Sequence, residues 1–252
     1  MSQINRMYHI KKLHEKKFRS KERQFIVEGV KGVEEALAST ADIFCIAIEE
    51  ARKDEMKHIL QLAKKKEIEY LLCGKKDIAL IKSVETFPGV LAVVDMPDHD
   101  ISDIATADTI LCLDGISDPG NLGTIIRTAD WFGIQAILLS PDCVDPYNEK
   151  VVRSTMGSIF HMTMTEAPDL EEAIHDFQKD GYHISGFSLG GKDIQHLKKQ
   201  EKSVYIFGSE SHGIRKDILD MCDSVYTIPG FGKAESLNVG VAVGIVLYHI
   251  SV

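Results

Sequence analysis

The sequence has few of the features that mark secreted, membrane-bound or metal-stabilised proteins. Its five cysteines are scattered and form no Cys-x-x-Cys pair, which argues against a disulfide framework or a zinc site and favours reduced thiols in a cytoplasmic protein. No hydrophobic run approaches the roughly 18–20 residues of a membrane helix, and the basic first segment lacks the apolar core of a secretory signal. Hydrophobic residues at 44% and charged residues at 27% are typical of globular domains and exclude a disordered or fibrous chain.

The net charge of −9 argues against a generally basic nucleic-acid binder, but this charge is unevenly distributed. Residues 1–31 contain nine Lys or Arg against three Glu, whereas the rest of the chain is acidic. A basic segment on an acidic protein is typical of a contact with a phosphate backbone. A solvated basic helix face gives the same pattern, so charge alone leaves both interpretations open.

The pattern of apolar residues predicts two α/β domains, over 1–98 and 108–252, joined by a polar linker over 99–107. In the first domain, helix-period segments alternate with strands predicted at 24–29, 42–48, 68–73 and 89–96. In the second domain, an apolar strand, a loop rich in Gly, Pro, Asn and Ser, and a helix follow one another three times. This alternation predicts a mostly parallel sheet, which binds ligands beyond the carboxyl ends of its strands.

The three loops of the second domain contain the candidate functional side chains. In the first loop, Asn121 is either a helix cap or a site residue, and Arg127 is either a solvated helix arginine or a phosphate contact. In the second, Glu210 is either solvated or functional. In the third, Ser236 or Asn238 can cap the last helix. None of these loops is specific alone.

Together the loops resemble a known family. The segments DPGNLGTIIRTADWFG, FGSESHG and IPGFGKAESLNVGVAVGIVLYH match, in order and spacing, the three motifs of the SpoU (TrmH-like) branch of the SPOUT RNA methyltransferases. The resemblance covers about residues 108–252. The segment RSKERQFIVEGVKGVEEAL is similar to the RNA-binding α/β domain that some family members carry before the methyltransferase domain.

This resemblance implies an α/β deep trefoil knot that acts as a homodimer and uses S-adenosylmethionine to methylate a ribose 2′-hydroxyl of structured RNA. By motif position it implies active-site roles for Asn121, Arg127, Glu210, Ser236 and Asn238, and backbone contacts with the cofactor at Gly208, Ile228 and Leu237. In the family the arginine is proposed as the base. We expect Arg127 instead to hold the target phosphate and orient the hydroxyl, because an arginine guanidinium stays protonated in proteins.

The additional N-terminal domain resembles that of ribosomal-RNA guanosine 2′-O-methyltransferases, which favours large-subunit (23S) rRNA over tRNA as the substrate. We expect phosphate contacts from the basic residues Lys11, Lys12, Lys16, Lys17, Arg19 and Arg23. The sequence indicates neither a metal nor a membrane partner.

The sequence leaves two functions of other classes open. The segment GFSLG over 186–190 fits the Gly-x-Ser-x-Gly nucleophile elbow of α/β hydrolases, with Ser188 as the nucleophile, although the segment that follows is too polar for the buried helix of that motif. A non-catalytic RNA-binding module would keep the fold without the chemistry. The presence of all five expected site residues argues against it.

Overall fold

The chain divides into two compact units, and a computed structural model describes its residues 2–252. Unit 1 comprises the chain up to Asp98 together with Asp145–Phe160, and unit 2 comprises His99–Val144 and His161–Val252. The sequence predicts residues 145–160 to lie in the second domain and 99–107 to be a linker. In the structure the first segment packs in unit 1, and the second forms a short helix whose Ile104 lies in the core of unit 2.

Unit 1 is a four-stranded sheet covered by helices. Its strand order is β1-β4-β2-β3, with β4 antiparallel to both neighbours and β3 parallel to β2. All four predicted strands are present. The elements are α1 (Gln3–Leu13), α2 (Lys16–Glu22), β1 (Gln24–Glu28), α3 (Val30–Ala38), β2 (Ile43–Glu49), α4 (Lys57–Lys65), β3 (Tyr70–Cys73), α5 (Lys75–Ile81) and β4 (Val90–Asp95).

Unit 2 contains a six-stranded, entirely parallel sheet in the order β10-β8-β9-β5-β6-β7. The predicted α/β class with a mostly parallel sheet is therefore confirmed. Helix α8 lies within the second half of the chain but belongs to unit 1. The remaining elements are α6 (Ile101–Ile104), β5 (Thr109–Asp114), α7 (Pro119–Trp131), β6 (Ala136–Leu139), α8 (Glu149–Thr155), β7 (Thr163–Glu166), α9 (Leu170–Lys179), β8 (His183–Asp193), β9 (Ser203–Gly208), α10 (Lys216–Asp220), β10 (Ser224–Thr227) and α11 (Val239–Ser251).

Arg19 belongs to the interior of unit 1, so the expectation that it contacts RNA is wrong. Its exposed fraction is 2%, and its Nε and Nη2 donate to Asp145 Oδ2 over 2.9 and 2.6 Å. Its Nη1 donates to the backbone oxygens of Leu13 and His14 over 2.9 and 2.8 Å. The guanidinium thus joins the end of α1 to α2 and holds residues 145–160 in place.

Helix α8 is held in unit 1 by two further ion pairs. His14 is hydrogen-bonded to Glu149, and Arg153 Nη1 donates to Glu28 Oε2 over 2.6 Å. Burial alone would lower the pKa of His14, but the hydrogen bond and charge of Glu149 outweigh burial and raise this pKa. Burial would likewise raise the pKa of Glu149, yet His14 holds it below its usual value. Each partner therefore stabilises the charged form of the other.

We expect Arg19→Ala to lower the free energy of unfolding of the protein by about 3–5 kcal/mol, because it leaves the carboxylate of Asp145 without its buried partner. Urea unfolding of the full chain measures this loss. Lys16→Ala removes an exposed charge from the same helix and is the matched control. A loss no larger than that of the control would contradict the structural role of Arg19.

Helices α7 and α11 pack closely on each other in unit 2, and Gly240 and Gly244 of the last helix permit this approach. A Cβ atom at Gly240 would lie 3.0 Å from Thr124 Cγ2, and one at Gly244 would lie 3.7 Å from Thr128 Cγ2. Because strands β5, β9 and β10 are all parallel, the loops that follow them leave the same edge of the sheet. The fold therefore gathers the three candidate loops.

Candidate active site

The first loop leads into α7, and Asp118 rather than Asn121 caps this helix. Asp118 Oδ1 accepts a hydrogen bond from the backbone N–H of Asn121 over 2.8 Å, and Pro119 occupies the first helical position. The helix therefore begins at Pro119, before Asn121, and the interpretation of Asn121 as a cap is wrong. Its side-chain amide is left available for contacts with other loops.

Asn121 joins the three loops through hydrogen bonds between side chains. Its Nδ2 donates to Glu210 Oε1, and its Oδ1 accepts from Asn238 Nδ2 over 2.8 Å. Asn238 also caps α11, because its Oδ1 accepts from the backbone N–H groups of Gly240 and Val241 over 2.9 and 3.3 Å. Each amide thus has a fixed orientation, and the exposed carboxylate of Glu210 lies at the end of the chain of hydrogen bonds.

The structure brings together three of the five predicted active-site residues, but it does not join the other two to them by hydrogen bonds. Arg127 points away from the buried face of α7, is exposed, and has no hydrogen-bond or ion-pair partner among residues 2–252. Ser236 is exposed in the loop before α11. Both side chains are therefore accessible to a ligand.

The second loop closes tightly on itself after β9. Gly208 ends this strand opposite Asp114 of β5, and a Cβ atom at Gly208 would lie 2.0 Å from the carbonyl carbon of Gly213. Only glycine permits this approach, because any side chain would collide with backbone atoms. Of the other two residues predicted to contact a cofactor, Ile228 is half-buried and Leu237 is 48% exposed.

An ion pair that the sequence did not indicate anchors the end of the second loop. Asp114 is 2% exposed, and its two oxygens accept from Arg215 Nε over 3.0 Å and from the backbone N–H of Arg215 over 2.8 Å. The pair holds the start of α10 against the end of β5. A charged residue ending an otherwise apolar strand is the available sequence signal, but its partner lies 101 residues away.

The segment around Ser188 does not form a nucleophile elbow. It lies inside β8, whereas the hydrolase motif requires a sharp turn from a strand into a helix. The hydrolase alternative is therefore wrong. In the part of the chain that the structure describes, no group of three or more His, Cys, Asp or Glu could hold a metal ion, and no helix is long and apolar enough to cross a membrane.

Comparison with known proteins places this site in a family. The SpoU rRNA Methylase family matches residues 108–248, and the MRM3-like substrate binding domain matches residues 5–92. This chain is a SpoU rRNA methylase family member. The resemblance drawn from the three loops is thus confirmed, and all five predicted active-site residues lie within the matched SpoU segment.

Relatives of this SpoU protein match over nearly its whole length. It is 35% identical, over 95% of its own chain and 93% of the relative, to the 23S rRNA (guanosine(2553)-2′-O)-methyltransferase RlmP of Bacillus subtilis. The crystal structure of an AdoMet-bound rRNA methyltransferase from Sinorhizobium meliloti covers 99% of this chain and 95% of its own, with 29% identity and a TM-score of 0.86. A putative RNA methyltransferase of the TrmH family from Porphyromonas gingivalis covers 99% and 98%, with 28% identity and a TM-score of 0.85.

We expect Asp114→Asn to slow single-turnover methyl transfer by this SpoU protein about 10- to 100-fold, because a released second loop would displace Glu210 from Asn121. Rapid-quench assays with labelled S-adenosylmethionine measure the rate. Asp217→Asn is the control, because it removes the other carboxylate that pairs with Arg215, at 4.0 Å from its Nη1. An unchanged rate in a folded Asp114 variant would show that the ion pair does not position the loop.

Proposed function

We propose that the protein methylates the ribose 2′-hydroxyl of a guanosine in large-subunit (23S) rRNA, with S-adenosylmethionine as the methyl donor. The observation that carries the proposal is the hydrogen-bonded meeting of Asn121, Glu210 and Asn238 from three distant loops. The relative RlmP, named for this reaction on 23S rRNA, supports the substrate. We propose a cytoplasmic location, because the enzyme would act on ribosomal RNA there.

The carboxyl edge of the parallel sheet fits the proposed cofactor. Leu237 and Phe231 expose large apolar surfaces in the third loop, and such surfaces suit the adenine ring and the methylene groups of S-adenosylmethionine. Gly208, Ile228 and Leu237 would hold it mainly through their backbone groups. When bound, the cofactor supplies a methyl group activated by a positively charged sulfur.

The protein side chains would orient the RNA, because a ribose hydroxyl is a weak nucleophile and positioning lowers such barriers strongly. Arg127, exposed and unpaired within residues 2–252, would bind a phosphate of the target nucleotide with its planar fork and so align the hydroxyl. Asn121, Glu210, Ser236 and Asn238 would provide polar contacts at the same edge. The hydroxyl proton would leave to a phosphate oxygen or to a neighbouring polar group as the O–CH₃ bond forms and the bond between the methyl group and the donor sulfur breaks.

Mapping of ribose methylation across all rRNA and tRNA of a strain that lacks the gene tests the proposal. We expect one guanosine of 23S rRNA to lose its methyl group and to regain it with the wild-type gene but not with Arg127→Ala. Loss at a tRNA position only would instead assign a tRNA methyltransferase of the same family. Complete methylation in the deletion strain, together with no binding of S-adenosylmethionine by calorimetry, would favour a non-catalytic RNA-binding module.

We also propose that unit 1 contacts RNA phosphates through its exposed basic residues. Five of the six predicted contacts are exposed: Lys11, Lys12, Lys16, Lys17 and Arg23. The match of residues 5–92 to a substrate binding domain supports this role. RNA affinity should fall steeply with salt, since bound lysines release counterions. If charge reversal of the four lysines left the affinity for RNA unchanged, this proposal would be wrong.

The family resemblance further supports a knotted homodimer. Helix α11 exposes Val241, Ile245 and Tyr248 on one face, at positions i, i+4 and i+7. We propose that a second copy of the chain covers this face. Light scattering should give a dimer for the wild type and a monomer for Ile245→Glu, because the new carboxylate would be buried in the interface.

A further inference from the structure

A cleft between the first two helices of unit 1 combines aromatic rings with positive charge. From α1 it is lined by Asn5, Tyr8, His9 and Lys12, at helical positions i, i+3, i+4 and i+7, and from α2 by Phe18, Lys21 and Glu22. The cavity measures about 310 Å³, near the lower end of the range for small-ligand sites. It therefore has room for one flat heterocycle.

Both rings in this cleft are accessible, and two cations lie over the ring of Phe18. Tyr8 is 54% exposed, and Phe18 is half-buried. The ammonium groups of Lys12 and Lys17 lie 5.6 and 4.8 Å from the centre of the Phe18 ring. Glu22 is the acidic residue of the lining, and Lys21 Nζ lies 3.6 Å from its carboxylate. Lys17 also pairs with Glu15 over 3.2 Å, so three lysines against two glutamates leave an excess of positive charge at the cleft.

The walls of the cleft are fixed by contacts inside unit 1. Arg19 ties α2 to the end of α1 through the backbone oxygens of Leu13 and His14. On the other side, His9 Nε2 lies 2.6 Å from Gln24 Oε1, and the His9 ring is 5.5 Å from that of Phe44. Because the walls are already in place, a ligand would lose little free energy in ordering them.

We propose that this cleft binds an unpaired nucleotide of the RNA substrate, with its base against Tyr8 and Phe18 and its phosphates beside Lys12 and Lys21. Aromatic faces between lysines suit a base next to a phosphate, since single-stranded RNA is held by stacking and by backbone charge. The paired bases of a duplex already stack on one another, so they are not available to stack on these rings. An acidic peptide would use the lysines but not the rings. This assignment rests on the proposed action on RNA.

The test compares RNA binding by ring variants of the full chain. Fluorescence anisotropy is measured with a labelled single strand of about eight nucleotides and with the same strand in a duplex. Tyr8→Leu and Phe18→Leu keep apolar volume but remove the rings, and each should weaken single-strand binding about tenfold while duplex binding stays within about twofold. Ile4→Ala, on the exposed face of α1 outside the cleft, is the matched control.

Salt dependence and crosslinking separate the two parts of the proposed site. Lys12→Ala should reduce the salt slope of binding by about one, whereas the ring variants should leave this slope unchanged. Irradiation of an iodouridine-substituted single strand should crosslink to the peptides that contain Tyr8 or Phe18. Because Tyr8 is exposed, its variant keeps the test valid even if Phe18→Leu unfolds, which thermal melting would reveal.

The cleft proposal would be wrong if a folded Tyr8→Leu variant bound the single strand with wild-type affinity and the crosslinks lay elsewhere. The proposed function would still stand in that case, provided that the wild-type protein methylates RNA. Displacement of the single strand by polyglutamate, with no effect of the ring variants, would assign the cleft to acidic peptides and overturn the proposal as well. The proposed function itself would be contradicted if the wild-type protein bound neither the single strand nor the duplex and methylated no RNA.

Discussion

Arg127→Ala should lower the single-turnover rate of ribose methylation by about a hundredfold or more while S-adenosylmethionine still binds. Arg127 is exposed on α7, the helix that follows the first loop. It contacts no other side chain by hydrogen bond or ion pair within the described residues, so its removal should leave the fold intact. If its fork aligns the target phosphate, its loss lets the hydroxyl move, and misplacement by about 1 Å commonly costs this much in rate. Rapid-quench assays at saturating RNA measure the change.

Two further variants isolate the planar fork of Arg127 from its charge. Arg127→Lys keeps the charge but cannot bind two phosphate oxygens at once, so it should remain strongly impaired. Lys198→Ala removes an exposed cation elsewhere in unit 2 and should keep the wild-type rate. A near-normal rate for Arg127→Lys would exclude the phosphate-fork role, because lysine lacks the planar fork.

Asn121→Asp should reduce the methylation rate about a hundredfold at neutral pH, although it changes the side chain by a single group. In the structure Asn121 Nδ2 donates to Glu210 Oε1, and an aspartate would place a second carboxylate there. Two carboxylates that share one contact repel each other and raise the pKa of the pair. The second loop would move away from α7, and the rate should recover partly as the pH falls and one proton is shared.

The double variant Asn121→Asp with Glu210→Gln tests whether the hydrogen bond or the charge of Glu210 matters. The glutamine amide introduced at position 210 can donate to the aspartate, so the contact is restored with its polarity reversed. Recovery to within about tenfold of wild type would assign Glu210 to positioning, because orientation is the property restored. No recovery would assign the carboxylate at 210 a direct role in the chemistry.

The same chemical change elsewhere supplies the control for Asn121→Asp. Asn148 caps α8 in unit 1, and aspartate caps helices as well as asparagine does. Asn148→Asp should therefore keep both stability and methylation near wild type. A wild-type rate for Asn121→Asp itself would show that the contact between the first and second loops is not needed.

The sequence alone was sufficient to predict the fold class and the three loops that the structure brings together, because both depend on local patterns. Alternating apolar runs predicted the parallel sheet, and a parallel sheet sets its loops at one edge. The three motif segments then identified Asn121, Glu210 and Asn238, which the structure joins by hydrogen bonds. Short elements with weak patterns, such as β7, were missed because four residues give little periodicity.

What could not be predicted depends on partners that are distant in the chain. Arg19 lies among exposed lysines, and the carboxylate that pairs with its buried guanidinium, that of Asp145, is 126 residues away. The ion pair of Asp114 and Arg215 was missed for the same reason. A charge pattern records which residues are basic but not which of them are neutralised by a carboxylate from another element.

The double use of Asn238 places two independent demands on one side chain. Its side-chain oxygen caps α11 by accepting from the backbone N–H of Gly240, and its amide nitrogen donates to Asn121 Oδ1. Aspartate would satisfy the first demand fully and the second not at all, since it has no N–H to donate. A library of variants at this position that is selected for solubility should accept aspartate, whereas the same library selected for growth on a methylation-dependent ribosome should discard it.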